Sequence, residues 1–160
     1  MLGCDLHCSY CQNWLTSQAL RDSAAVSAPR ETSAEALISK GVRLDPVMVA
    51  SSYNEPLITS EWAVEVFRHA RAAGLKTAFV SNGNATPEVL DYLRPWTDCY
   101  KIDLKTMSDR NYRKLGGVLE NVLDTIKMVY ERGFWMEIVT LLVPDWNSSE
   151  AELRDAAQFL

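Results

Sequence analysis

The sequence has no run of eighteen apolar residues, so no membrane-spanning helix is expected. No charged and then apolar leader precedes its first motif, and a cytoplasmic chain is the expectation. Basic residues are in deficit, with 16 Lys and Arg against 21 Asp and Glu and a formal charge of −5. A nucleic-acid or acidic-membrane partner would favour a basic patch, so neither is expected. The Gly-x-Gly-x-x-Gly fingerprint of a dinucleotide-binding sheet is also missing. Cysteine is scarce, at four in 160 residues. Without a secretory segment, so few point to metal or catalysis rather than to a disulfide framework. This length suffices for one domain with one core.

Three of the four cysteines fall within Cys4-Asp5-Leu6-His7-Cys8-Ser9-Tyr10-Cys11. At spacings of four and three residues, one short loop can aim all three thiols at a single point. Thiolates are the usual ligands of iron–sulfur clusters, and a four-iron cubane normally takes four of them. With three nearby, one iron is left open for a small molecule, which suits chemistry better than electron storage. Zinc held by the three cysteines and His7 is the competing reading, but structural zinc sites pair their ligands on separate knuckles and no second knuckle exists. A non-catalytic iron–sulfur module or a zinc-binding interaction module remains the alternative. His7 reads as solvent-facing and His69 as a surface residue. Cys99 reads as a small buried hydrophobe at a strand start.

The rest of the chain alternates strands and helices at the spacing of βα units that build parallel sheets. Strands are expected at Pro46–Tyr53, Lys76–Ser81, Cys99–Lys105 and Phe134–Val143. Helices are expected from a capping box at Thr32-Ser33-Ala34-Glu35 to about Lys40 with Gly41 as the stop, over Ser60–Ala73, from Thr86-Pro87 to about Arg94, over Leu119–Arg132, and from a second capping box at Ser149 onward. The segment from Thr16 to Thr32 reads as a surface connection. The fold class is α/β, a partial (β/α) TIM-like barrel of four to five βα units, open at its edges. Each of the four strands ends in polar or turn residues, and active sites of barrels lie at the C-terminal strand ends. Lys101, Asp103 and Lys105 share one strand face, where burial would be costly unless they pair or meet something polar. Glu137, inside an apolar strand, either faces substrate or pairs with a lysine.

The pattern Cys-x-x-x-Cys-x-x-Cys with Tyr10 before its third cysteine resembles the radical S-adenosylmethionine (SAM) enzymes. The likeness extends through Cys11-Gln12-Asn13-Trp14, Ser52-Tyr53-Asn54-Glu55-Pro56, Val80-Ser81-Asn82-Gly83, Ile102-Asp103-Leu104-Lys105 and Tyr112-Arg113-Lys114-Leu115-Gly116-Gly117. These follow in the order of the branch related to the pyruvate formate-lyase activating enzyme, and Tyr-Asn-Glu-Pro resembles the AmmeMemoRadiSam system subgroup. The resemblance implies a [4Fe-4S] cluster on Cys4, Cys8 and Cys11, and SAM as the second cofactor. Tyr10 would lie near the adenine, and Asn54 and Glu55 would hold the amino group. Ser81 and Asn82 would line the SAM and substrate pocket, with Asp103 and Lys105 as catalytic candidates. It implies an electron donor such as flavodoxin or ferredoxin, and a partner protein as a possible substrate. Glycyl-radical activases have an acidic residue where this chain has Val80, which argues against that substrate. The resemblance also implies a radical SAM core over residues 1–160 that is incomplete at both ends and too open for efficient catalysis.

Overall fold

The computed structural model describes residues 1–25 and 27–160. Four strands, β1 (Met48–Ser51), β2 (Lys76–Ser81), β3 (Cys99–Asp103) and β4 (Trp135–Val139), form one parallel sheet in the order β1-β2-β3-β4. The register pairs Ala50 with Ala78, Val80 with Lys101 and Lys101 with Glu137. The helices are α1 (Trp14–Ser17), α2 (Ala34–Gly41), α3 (Ser60–Ala72), α4 (Pro87–Leu93), α5 (Asp109–Lys114), α6 (Leu119–Glu131) and α7 (Glu150–Phe159). The strands alternate with helices, and the sheet stays open, as expected of a partial (β/α) barrel.

Side chains on a strand alternate between faces, and β3 shows what each face is for. Tyr100 and Ile102 are fully buried among Phe67, Phe79, Leu90, Leu93 and Val129, the centre of the core between sheet and helices. Burying each such large apolar side chain stabilises the fold by about 1.5–3 kcal/mol. Cys99, Lys101 and Asp103 point to the other face and stay half-exposed. Helices thus cover one side of the sheet and leave the other open to carry polar groups.

Several boundaries differ from the pattern-based expectation, each for a local reason. The first capping residue is Ser33 rather than Thr32: Ser33 has extended backbone and its hydroxyl accepts from the Ala36 N–H at 3.1 Å. Gly41 ends α2 without stopping the chain, which runs on through a 3-10 turn at Val42–Leu44 until Asp45 reverses it at φ 49°. β3 stops at Asp103, before Lys105, because the Lys105 N–H is donated to the Tyr112 hydroxyl at 2.9 Å and its carbonyl accepts from Asn147 Nδ2 at 2.7 Å. Neither group is left for a ladder. β4 stops at Val139 for the same reason: Asn147 also takes the Leu141 carbonyl and the Val143 N–H, at 2.8 and 2.7 Å. The six-residue α5, capped by Ser108, was too short to show as a periodic segment. α1 falls at the start of the segment expected to be a plain connection.

Candidate active site

The cysteine loop lies across the C-terminal ends of all four strands. Gly3 accepts from the Glu55 N–H at 3.4 Å, which ties it to the end of β1. Asp5 accepts from the side chains of Asn82 and Asn84, beyond β2, at 2.6 and 2.7 Å. The His7 N–H donates to the Leu115 carbonyl at 2.9 Å, just past α5. Tyr10 meets Trp146, in the loop after β4, edge-on at 5.3 Å between ring centroids. Within the loop, the Cys11 N–H donates to the Cys8 carbonyl at 3.1 Å, and Gln18 on the far side of α1 donates to the Leu6 carbonyl at 3.1 Å.

All three thiols are free and half-buried. Burial pushes the Cys4 thiol up to about 12 and raises Cys8; the charges of Asp5 and of the neighbouring cysteine add to both, while Lys105 draws Cys8 down. Among the described residues, no three His, Cys, Asp or Glu side chains draw close enough to hold a single metal ion. His7 is exposed. Its ring packs on Gly116, whose φ of +83° and lack of a Cβ make room for it, while Gly117 leaves room for Leu6 and Tyr112.

Glu55 is 1% exposed, and its carboxylate accepts from Leu57 N at 3.0 Å, Ser81 Oγ at 2.8 Å and Asn82 N at 2.7 Å. Burial pushes it up to about 7 even so, against the pull of those three donors. It therefore locks the ends of β1 and β2 together. A carboxylate has about four lone-pair sites, and three are in use. Asn54 does not share this cluster: its side chain accepts from Thr16 Oγ1 at 2.8 Å and donates to the Met1 carbonyl at 3.1 Å, anchoring the segments on either side of the cysteine loop.

At the end of β3, Asp103 divides its oxygens between Lys101 Nζ at 2.8 Å and Lys105 Nζ at 3.0 Å. Burial works against its charge, yet the two ammonium groups hold its carboxyl below the usual range. The trio carries a net positive charge on the open face. Glu137 lies beside Lys101 in register on that face, exposed, and makes no ion pair among the described residues. The Tyr10 hydroxyl, buried and without a hydrogen-bond partner among the described residues, sits where Cys8 and Asp103 both influence it. A buried hydroxyl left unpaired is a group that a polar guest could satisfy. The sequence reading missed Asp5, Asn84 and Asn147 as site residues. Each is a polar residue whose partner is distant in sequence.

The model of the radical SAM superfamily matches residues 1–160. The chain belongs to that superfamily. It is 30% identical over 158 residues to an uncharacterised protein of Methanocaldococcus jannaschii, covering 99% of this chain and 46% of that protein. It is 26% identical over 166 residues to the pyruvate formate-lyase 1-activating enzyme of Escherichia coli K12, covering 98% of this chain and 65% of that enzyme. The chain thus spans between about half and two thirds of the length of these relatives. A domain of the pyruvate-formate lyase-activating enzyme from Bacteroides vulgatus superposes with a TM-score of 0.67 at 24% identity, over 72% of each chain, which shows the shared fold. No helix of the described residues is long and apolar enough to cross a membrane.

Proposed function

We infer that this chain is the cluster- and SAM-binding core of a cytoplasmic radical SAM enzyme of the activating-enzyme branch. The observation that carries the reading is the placement of three free thiols in one loop laid over the C-terminal ends of four parallel strands. Cys4, Cys8 and Cys11 would hold a [4Fe-4S] cluster, and the residues beside it would hold SAM. When bound, these groups supply the reductive cleavage of SAM to methionine and a 5′-deoxyadenosyl radical, which abstracts hydrogen from a substrate.

The chain's own residues bind, orient and shield. Glu55 holds Ser81 and Asn82 in place, and its free lone pair is suited to an ammonium group such as that of SAM. Lys101 and Lys105, held apart by Asp103, present positive charge to a carboxylate on the open face. Tyr10 and Trp146 close the site from the β4 side and exclude water. Asn54 supports the loop through its bonds to Thr16 and to the Met1 carbonyl. An electron donor such as flavodoxin or ferredoxin would supply the electron, and a partner protein is the proposed substrate. Val80, in place of an acidic residue, favours a hydrogen donor other than a glycyl-radical enzyme.

The test is anaerobic reconstitution with iron and sulfide. Wild type should take up about four irons per chain with the absorbance of an iron–sulfur cluster, and alanine at Cys4, Cys8 or Cys11 should abolish it. Full iron uptake by all three variants would remove these cysteines from the site.

A further inference from the structure

Asp5 stands directly after the first proposed ligand, Cys4, and nearly every polar atom it has is engaged. Its Oδ1 accepts from Asn82 Nδ2 at 2.6 Å and its Oδ2 from Asn84 Nδ2 at 2.7 Å, while its carbonyl accepts from Arg21 at 3.1 Å. The two asparagines form a rigid seat. Asn82 is buried, its N–H is held by Glu55, and its Oδ1 accepts from the Asn84 N–H at 3.0 Å. Hydrogen bonds to a carboxylate are roughly twice as strong as neutral ones, so this clasp fixes the start of the cysteine loop to the end of β2.

The clasp also places a charge. Asp5 Oδ1 lies 3.8 Å from Cys4 Sγ. Cluster potentials respond to net charge and to groups near the sulfurs, and a more negative surrounding makes the added electron harder to accept and more strongly reducing once there.

We propose that Asp5 is a positioning residue for the cluster: its carboxylate locks Cys4 to the Asn82–Asn84 seat, and its fixed negative charge beside the Cys4 sulfur keeps the cluster's potential low. The proposal rests on the cluster reading above. It makes the two roles of one side chain separable, because Asn84 is exposed and can turn its amide. In Asp5→Asn the new amide still accepts from Asn82 and donates to a turned Asn84, so the seat survives without the charge. In Asp5→Ala both are gone. In Asn84→Ala one bond of the clasp is lost while the charge stays.

The experiment reconstitutes wild type and these three variants anaerobically. It measures iron retention against a chelator and the midpoint potential by following the reduced cluster's electron paramagnetic resonance signal. Asp5→Ala should hold iron about 10- to 100-fold less well, the usual effect of removing a partner behind a metal ligand. Asp5→Asn should retain iron within about 2-fold of wild type, far inside that loss, but with a less negative potential. Asn84→Ala should show weakened retention and an unchanged potential. Wild-type retention in both Asp5→Ala and Asn84→Ala would overturn the positioning role, and an unshifted potential in Asp5→Asn would overturn the electrostatic one. Should Asp5→Ala fail to fold, the other two variants still decide both points. A wild-type chain that takes up no cluster would instead refute the functional reading on which the proposal stands.

Discussion

Glu55→Gln isolates the energetics of the one charged side chain that is buried among the described residues. In the folded chain Glu55 is pushed up to about 7 from an ordinary 4.5, chiefly by burial. A raised carboxylate makes the folded state the better proton binder, so its stabilising contribution is complete below pH 4.5 and is lost as pH rises through 7. At about 1.4 kcal/mol per pH unit, wild type loses roughly 3 kcal/mol from this group between pH 4.5 and pH 8. Glutamine cannot ionise and escapes that loss. It incurs another at every pH, because the two carboxylate oxygens face the N–H groups of Leu57 and Asn82 and its NH2 must point at one of them. Ser81 can turn its hydroxyl to accept; a backbone N–H cannot, and an orphaned buried donor costs about 1–3 kcal/mol. The variant should therefore be less stable than wild type at pH 5 and equal or more stable at pH 8.5. Urea unfolding of both metal-free proteins at the two pH values measures it, groups common to both cancelling in the difference. A difference that does not change with pH, or a variant that falls further behind at pH 8.5, would show that the three donors hold Glu55 ionised and that burial does not dominate.

Three further substitutions probe the rest of the site. Asp103→Ala leaves Lys101 and Lys105 unbridged; because the pairs are partly exposed, apo stability should fall by only about 1 kcal/mol, whereas SAM binding, followed by equilibrium dialysis, should weaken by ~10-fold or more, about 1.4 kcal/mol. Gly116→Ala forces a side chain into φ +83° and onto the His7 ring, so the fold should lose about 1–3 kcal/mol in urea and the reconstituted protein should release iron faster. Asn147→Ala orphans the Val143 N–H and the Lys105 and Leu141 carbonyls together, and thermal unfolding should register a loss of about 3 kcal/mol.

The sheet was legible because parallel strands carry apolar runs and their helices carry capping and breaking residues, all within a few positions of one another. The cysteine loop was legible for the same reason, its three thiols being spaced along eight residues. What could not be read was any pairing that closes only in three dimensions. Asn147 decides where both β3 and β4 end, yet nothing in the sequence near Lys105 announces a partner 42 residues away. Asp5 reads as an ordinary loop residue until Asn82 and Asn84, 77 and 79 residues on, are brought to it. Asn54 shows the converse: its neighbour Glu55 turns inward, but the amide next to it is taken by Thr16 and Met1. Adjacent positions in a motif need not share a partner. Asp103 and Lys105 do stand together, but Lys105 reaches Asp103 from just beyond the end of β3, while Lys101, on the same strand face as Asp103, completes the bridge.

The central claim is that the loop and the strand ends together bind a cluster and SAM and use them for radical chemistry. The most direct measurement is 5′-deoxyadenosine, quantified by chromatography after the anaerobically reconstituted chain is mixed with SAM and dithionite. The account predicts that wild type forms 5′-deoxyadenosine and methionine in equal amounts, and that variants lacking Cys4, Cys8 or Cys11 form none. A chain that carries its cluster, binds SAM and accepts an electron, yet leaves SAM intact, would contradict it.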